Sequence, residues 1–172
     1  TTLTQLECGY NQISELNVSA LPDLATLDCY RNKLTSLNVS NNTKLTTLDC
    51  DKNQISELNV SALPELKSLN CGNNQLTLLD LSNNTKLESL YCDNNQISKL
   101  DVSGMLNLVS LGCFRNQLTS LDVSKNTKLR YLNCNNNQIP ELNVSGMPDL
   151  STLLCYDNRL TSLDVRNNAK LT

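Results

Sequence analysis

The sequence predicts an elongated solenoid in which short parallel strands stack into one sheet, and three observations support this. Apolar residues alternate with polar ones at the start of each unit, as in a strand with one buried face. No single unit carries enough apolar surface to fold alone, so neighbouring units have to stack. The third and decisive observation is that leucine recurs at a constant interval without a slip, at Leu3, Leu24, Leu45, Leu66, Leu87, Leu108, Leu129, Leu150 and Leu171.

The units share the pattern L-x-x-L-x-C-x-x-N-x-(I/L)-x-x-L-(D/N)-(V/L)-S, followed by four variable residues. A fixed period of about 20 to 29 residues with this core is the signature of a leucine-rich repeat. The predicted fold is therefore a leucine-rich repeat solenoid, or horseshoe, with a parallel β-sheet on its concave face. Because a unit at the short end of this range leaves little room for a full α-helix on the return path, we expect short extended or 3₁₀ segments on the convex face.

The whole chain, residues 1–172, is predicted to be a single array of eight full repeats (3–170) with no recognisable caps. A second period, twice as long, lies on the first, since odd repeats carry Ile13 and Leu21 where even repeats carry Leu34 and Asn42. Uncapped arrays expose apolar ends and open strands that pair with other chains. We therefore expect either a fragment of a longer protein or ends covered by another copy.

Composition excludes several classes of function. The 172 residues include no histidine, which removes a histidine general base, Ser-His-Asp and Cys-His sites and most zinc sites. The net charge of −3 argues against nucleic acid, whose binders usually carry a basic face. No apolar stretch approaches the roughly 20 residues that cross a bilayer. The prediction is a protein that is not an enzyme, needs no cofactor or metal, and neither binds nucleic acid nor inserts into a membrane.

Eight cysteines occupy the same inward strand position, one in each repeat. An even count in a secreted protein usually indicates disulfides, and neighbouring Cα atoms would fall within the range of about 4.4–6.8 Å that a disulfide needs. However, strands in register point their Cβ atoms in parallel, and a free cysteine packs well as a small hydrophobic residue. We predict a ladder of buried, reduced thiols, with disulfides and metal or redox chemistry as the alternatives. The residues are Cys8, Cys29, Cys50, Cys71, Cys92, Cys113, Cys134 and Cys155.

An asparagine follows each cysteine at a fixed distance, where the chain must leave the strand. Its side chain offers both donors and an acceptor to a backbone whose amides and carbonyls need partners. We predict a structural ladder, with a ligand-binding role as the alternative. The residues are Asn11, Asn32, Asn53, Asn74, Asn95, Asn116, Asn137 and Asn158.

The outward strand positions and the two residues after each cysteine form the predicted binding surface. All six aromatic residues lie there, and aromatic side chains are enriched at interfaces. The competing interpretation is that only these positions tolerate a large side chain. The acidic residues on this face, such as Asp49 and Asp51, are interpreted as solvated surface charge, because catalytic carboxylates need burial or paired environments. The predicted ligand-binding residues are Tyr91, Phe114, Arg115, Arg130, Tyr131, Leu154 and Tyr156, which form the expected hot spot, together with Tyr10 and Tyr30.

The stretch from Leu108 to Lys128, read as L-x-x-L-x-C-x-x-N-x-L-x-x-L-D-V-S-x-N-T-K, resembles the repeats of bacterial internalins, which have the same length. The resemblance is greatest to the internalin type that carries a cysteine ladder, and it covers essentially the whole chain. It implies an extracellular protein, secreted or held at the bacterial cell surface, that binds a host or neighbouring-cell molecule through its concave face.

The leading prediction is therefore a binding or adhesion module for a protein or glycoprotein ligand, host-derived ligands included. A carbohydrate-binding face is a narrower alternative, in which tyrosine rings stack on sugars beside asparagine amides such as Asn73, Asn94, Asn133, Asn135 and Asn136. A structural array that self-associates end to end is the third alternative.

Overall fold

The computed structural model describes residues 2–172; Thr1, where the predicted array begins, lies outside them. These residues form one parallel sheet whose eight strands follow the order of the chain. Each strand pairs with its counterparts in the adjacent repeats, so that Leu27 is opposite both Leu6 and Leu48. The predicted leucine-rich repeat solenoid is confirmed. The strands are β1 (Gln5–Glu7), β2 (Thr26–Asp28), β3 (Thr47–Asp49), β4 (Ser68–Asn70), β5 (Ser89–Tyr91), β6 (Ser110–Gly112), β7 (Tyr131–Asn133) and β8 (Thr152–Leu154).

The return path between strands is extended and is interrupted by tight turns. In the first repeat the amide of Leu21 donates to the carbonyl of Val18 at 3.0 Å, and that of Leu24 donates to Leu21 at 3.2 Å. The same pair of bonds recurs in the later repeats. Between residues 2 and 172 no 3₁₀ helix forms, so the extended alternative is the one observed. No helix of this part of the chain is long and apolar enough to cross a membrane.

The core is a single cluster that runs the length of the solenoid. The first leucine of the repeat and the central leucine of the strand supply one wall, as Leu66 and Leu69 do, and both are fully buried. Leu76, Leu79 and Leu81 of the same repeat pack against them from the return path. Because no aromatic side chain enters the core, the inward positions repeat with nearly constant volume and the strands stay in register.

The cysteines form the expected column, and all eight are free thiols. Burial raises the pKa of the Cys92 thiol to about 12, so this residue is neutral and apolar at pH 7. The prediction that every thiol is buried is wrong for two of them. Cys8 and Cys155 are only half-buried, because β1 and β8 each have a neighbouring strand on one side alone.

The asparagine after each strand ties its repeat to the one before. The Nδ2 of Asn95 donates to the carbonyls of Cys71, Cys92 and Asp93 at 3.0, 3.1 and 3.1 Å. Its Oδ1 accepts from the amide of Leu76 at 2.9 Å. Bonds to the preceding repeat recur at Asn32, Asn53, Asn74, Asn116, Asn137 and Asn158. Asn11, in the first repeat, bonds only within its own turn.

A second set of buried asparagines was visible in the sequence only as the doubled period. The Nδ2 of Asn42 donates to the carbonyls of Val18 and Leu21 at 3.0 and 2.8 Å. Equivalent bonds are made by Asn84, Asn126 and Asn168. These residues replace an apolar side chain in alternate repeats and bridge the return path on the side opposite the first ladder.

We expect Asn95→Ala to lower the free energy of unfolding by about 2–4 kcal/mol, because the amide of Leu76 loses its acceptor and three carbonyls each lose one of their two donors. Gln96→Ala is the matched control, since this neighbouring side chain is exposed, and it should change stability by less than about 0.5 kcal/mol. Urea unfolding followed by circular dichroism measures both. Equal effects from the two variants would show that the ladder contributes little.

The burial of the cysteines predicts two classes of reactivity toward a thiol reagent. In the native protein Cys8 and Cys155 should be labelled, though more slowly than a free cysteine because burial raises the pKa of both thiols, whereas the six inner thiols should react only on unfolding. Mass spectrometry of the labelled peptides separates the two classes. Rapid labelling of Cys71 or Cys92 in the native state would contradict the buried ladder, and a mass lower by pairs of hydrogens would reveal disulfides.

Candidate binding face

We define the sheet face as the outward side chains of β1–β8 with the two residues that follow each cysteine. The second of these residues adopts a left-handed conformation in every repeat, with φ between 49° and 61°. Non-glycine residues seldom adopt such angles, although asparagine tolerates them best. The turn re-aims the chain directly before the ladder asparagine. The residues are Tyr10, Arg31, Lys52, Asn73, Asn94, Arg115, Asn136 and Asp157. Sequence reasoning missed this feature, which only the three asparagines hinted at.

One aromatic cluster lies at the first two repeats. The rings of Tyr10 and Tyr30 meet edge to face, with centroids 5.6 Å apart. The Arg31 guanidinium lies 4.1 Å from the centroid of the Tyr10 ring and donates to the Tyr10 hydroxyl. Tyr30 occupies the space above Gly9, where an added Cβ would lie 2.4 Å from its Cδ1. The glycine therefore positions this cluster.

A second aromatic pair spans three strands near the other end. Tyr91 of β5 leans across Gly112 of β6 toward Tyr131 of β7, and the ring centroids are 6.4 Å apart. A Cβ on Gly112 would lie 2.6 Å from Cδ1 of Tyr91, so only glycine leaves room for this approach. The two rings belong to repeats that are not adjacent, and they meet because β5 and β7 lie on either side of β6.

The other residues of the expected hot spot lie beside this pair without joining it. Phe114 and Tyr156 follow the cysteines of their repeats, and within residues 2–172 neither ring stacks on the Tyr91–Tyr131 pair or on the other. Tyr156 is 59% exposed and Leu154 is 36% exposed. Arg115 and Arg130 are exposed on the flanks of these strands. The described chain thus brings together two of the four C-terminal aromatic residues and leaves the other two as separate contact points.

The acidic residues of the sheet face are not all solvated, which corrects the sequence-based interpretation. Asp93 is only 8% exposed, and burial raises the pKa of its carboxyl. Burial likewise raises the pKa of Asp49. Asp51 and Asp93 lie on the two sides of Gly72, where an added Cβ would be 3.1 and 3.0 Å from their Oδ1 atoms. Because Gly72 has no side chain, the two carboxylates can lie against the sheet on either side of it.

The Asn73 side chain links these two carboxylates, since its Nδ2 donates to Asp51 at 2.8 Å and to Asp93 at 3.4 Å. A further bond at 2.8 Å comes to Asp93 from the Nδ2 of Asn94. In residues 2–172 no group of three or more histidine, cysteine, aspartate or glutamate side chains is arranged to hold a metal ion.

A chain of amides covers the seventh repeat. The Nδ2 of Asn136 donates to the Oδ1 of Asn135 at 3.1 Å. The backbone amide of Asn135 donates to the Oδ1 of Asn133 at 3.3 Å. The Nδ2 of Asn133 in turn donates to the Tyr131 hydroxyl at 3.3 Å. Asn133 and Asn135 are 6% and 3% exposed although both lie on the sheet face. Polar side chains are therefore largely buried here.

Comparisons with known proteins agree with this architecture. A family model described as leucine-rich repeats (2 copies) matches residues 64–105. No curated protein sequence matches the chain. The functional domain of InlJ from Listeria monocytogenes, which includes a cysteine ladder, is 38% identical with a TM-score of 0.80. That match covers 99% of this chain and 43% of the InlJ chain, so this sequence spans less than half of that structure.

Two further structures are similar over almost the whole chain. Internalin C2 from Listeria monocytogenes gives a TM-score of 0.90 at 27% identity, covering 98% of this chain and 78% of its own. The ectodomain of the plant membrane receptor kinase GASSHO1/SCHENGEN3 from Arabidopsis thaliana, solved in complex with CASPARIAN STRIP INTEGRITY FACTOR 2, gives a TM-score of 0.91 at 26% identity. This match covers 98% of this chain and 23% of the receptor chain.

The chain thus has the leucine-rich repeat fold, since the repeat motif, the parallel sheet and the family model over residues 64–105 agree. The chain is similar to the Listeria internalins, and the InlJ domain, like this chain, includes a cysteine ladder.

The buried carboxylate of Asp93 predicts a pH-dependent effect on stability. Its pKa is raised in the folded state, so its contribution favours folding only below the unfolded pKa and is lost as the pH rises through the folded pKa. We therefore expect Asp93→Asn, which keeps the acceptor oxygen, to raise the thermal unfolding midpoint at pH 7 and to leave it unchanged at pH 3.

Asp80→Asn is the matched control for this measurement. Asp80 lies on the return path, where hydrogen bonds from Ser82 lower the pKa of its carboxyl, so this substitution should give no gain at pH 7. A lower midpoint for Asp93→Asn than for the unaltered protein at pH 7 would show that the carboxylate is stabilising where it lies.

Proposed function

We propose that the chain is the ligand-binding part of an extracellular or bacterial cell-surface protein, and that it recognises a protein or glycoprotein through the sheet face. The observation that carries this proposal is the difference in composition between the two faces of the sheet. The inward positions contain the entire core, whereas all six aromatic residues project from the other side, where they contribute nothing to core packing.

The chemistry of the sheet face supports a macromolecular ligand. Large aromatic side chains with arginine beside them are the usual composition of protein interfaces, because they bury much area and immobilise few torsions. Here Phe114, Tyr131 and Tyr156 lie on successive repeats, with Arg115 and Arg130 at their flanks. The plant receptor ectodomain with the same fold was solved with a bound partner, which agrees with use of this fold as a binding module.

The location outside the cell is inferred from the similarity to internalins and remains part of the proposal. A sugar-binding face is a second candidate, favoured by the amide chain of Asn133, Asn135 and Asn136 next to the Tyr131 ring. Both candidates use the same surface, so a single set of variants tests them together.

We expect Phe114→Ala and Tyr156→Ala each to weaken ligand binding more than tenfold, because truncating an interface hot spot costs roughly 2 kcal/mol or more. Thr47→Ala on β3 is the control and should bind as the unaltered protein does. The chain is applied to a panel of extracellular protein domains and to a glycan array, and affinities for each positive are then measured by surface binding.

Thermal melting of each variant shows that the fold is intact, since these side chains lie outside the core. Positives on the protein panel that lose affinity in both aromatic variants support the proposal, and positives confined to the glycan array move it to carbohydrate. Unchanged affinity in both aromatic variants would overturn the assignment of the binding site to this part of the sheet face.

A further inference from the structure

The sheet face divides into two parts of different chemistry. Over β1–β5, the outward strand positions and the residue after each cysteine carry five carboxylates and no basic side chain, namely Glu7, Asp28, Asp49, Asp51 and Asp93. Over β6–β8, the same positions carry no charged residue at all and include Phe114, Tyr131, Asn133, Asn135, Leu154 and Tyr156. We call these the acidic part and the amide–aromatic part.

Four of the five carboxylates of the acidic part form no ion pair within residues 2–172, and the fifth, Asp51, pairs with Lys52. Within residues 2–172 Asp28, Asp49 and Asp93 form no ion pair, and their hydrogen bonds come from backbone amides or asparagine side chains. Of the nearby bases, Lys52 is 3.5 Å from Asp51 and Arg31 is stacked on a tyrosine. Carboxylates that are partly desolvated without a counter-charge are suited to a ligand that supplies one.

The amide–aromatic part contains a side-chain amide on a nearly buried residue, and its Nδ2 keeps contact with solvent and has no acceptor within residues 2–172. The Asn135 side chain belongs to a residue that is only 3% exposed, and its Nδ2 donates to no atom of residues 2–172. Backbone bonds from Arg115 to Asn135 and from Asn136 to Tyr156, each 3.0 Å, place Phe114, Asn135 and Tyr156 side by side on successive repeats. The Tyr131 hydroxyl accepts from Asn133 and has its own proton free to donate.

An unused amide donor between two aromatic residues is suited to a carbonyl acceptor with an apolar group beside it. A peptide unit with an aliphatic or aromatic side chain has both. A neutral oligosaccharide would match this part but would leave the carboxylates of the acidic part without a counter-charge, and a nucleic acid would place phosphates against them.

We propose that the sheet face binds an extended polypeptide segment whose lysine or arginine side chains lie along the acidic part and whose apolar residue lies between Phe114 and Tyr156, with a peptide carbonyl accepting from Asn135. This rests on the proposed function and adds the chemistry of the partner. Seven strand spacings of about 4.8 Å span roughly 34 Å. An extended chain rising about 3.3 Å per residue covers this distance with about ten residues.

The test is selection from a random twelve-residue peptide library displayed on phage, with the full chain as bait. We expect the selected peptides to carry two or more basic residues on one side of an aromatic or aliphatic residue. Synthetic copies should bind at least tenfold more weakly to the Asp49→Asn/Asp93→Asn double variant and to Asn135→Ala. Added salt should weaken binding to the unaltered chain more than binding to the double variant.

The control is Asp80→Asn/Asp101→Asn, which removes the same number of charges from the return path and should bind the peptides as the unaltered chain does. Selected peptides that lack basic residues but lose affinity on Phe114→Ala would overturn this inference and leave the proposed function standing. Peptides that bind all variants equally would also overturn this inference. The proposed function fails separately if the aromatic variants retain full affinity for every positive of the protein panel.

Discussion

The structure depends on the asparagine that closes each repeat. The carbonyls at the end of each strand are shielded from water by the turn that follows, so they need hydrogen-bond donors. The Asn95 side chain supplies three such bonds and receives one from the preceding repeat, so it fixes both its own turn and the distance to its neighbour. The residue before it, Asn94, adopts a left-handed conformation. Strand register and core burial then follow, because each turn is held in the same place on the one before.

This arrangement separates stability from recognition. The inward strand positions carry leucine and cysteine, and the buried positions of the return path carry leucine, isoleucine, valine or methionine, with an asparagine in alternate repeats. The outward positions contribute no packing to the core and are therefore free to differ from repeat to repeat. The desolvated carboxylate of Asp93 and the enclosed amide of Asn135 are both exceptions to the solvated surface expected there, and neither is needed to complete the fold. Groups held in this way are typical of surfaces that meet a partner.

The leucine period predicts the strands, their parallel order and their register because these depend on a pattern that each repeat restates locally. The sheet face is less predictable, since its contacts join residues that lie two repeats apart. Tyr91 reaches Tyr131 only because Gly112 lies between them, and Asp51 approaches Asp93 only across Gly72. A glycine in the sequence does not reveal which neighbour will fill its space. The half-buried state of Cys8 likewise depends on its place in the first strand of the described sheet and not on the residue itself.

The doubled period shows that the hydrogen bonds between repeats alternate in number along the solenoid. Asn42 donates to the return path of the first repeat, and Lys44 forms an ion pair with Asp23 at 2.6 Å. Equivalent bonds join each even repeat to the odd repeat before it. In one of these pairs Asn107 takes the place of the acidic residue. Within residues 2–172 the contact between an odd repeat and the even repeat before it lacks this second asparagine. The bonds that recur there are those of the first asparagine ladder and the backbone. Because stability in a solenoid is a sum over neighbouring repeats, this alternation makes a pair of repeats, joined by two asparagine ladders, the structural unit of the array.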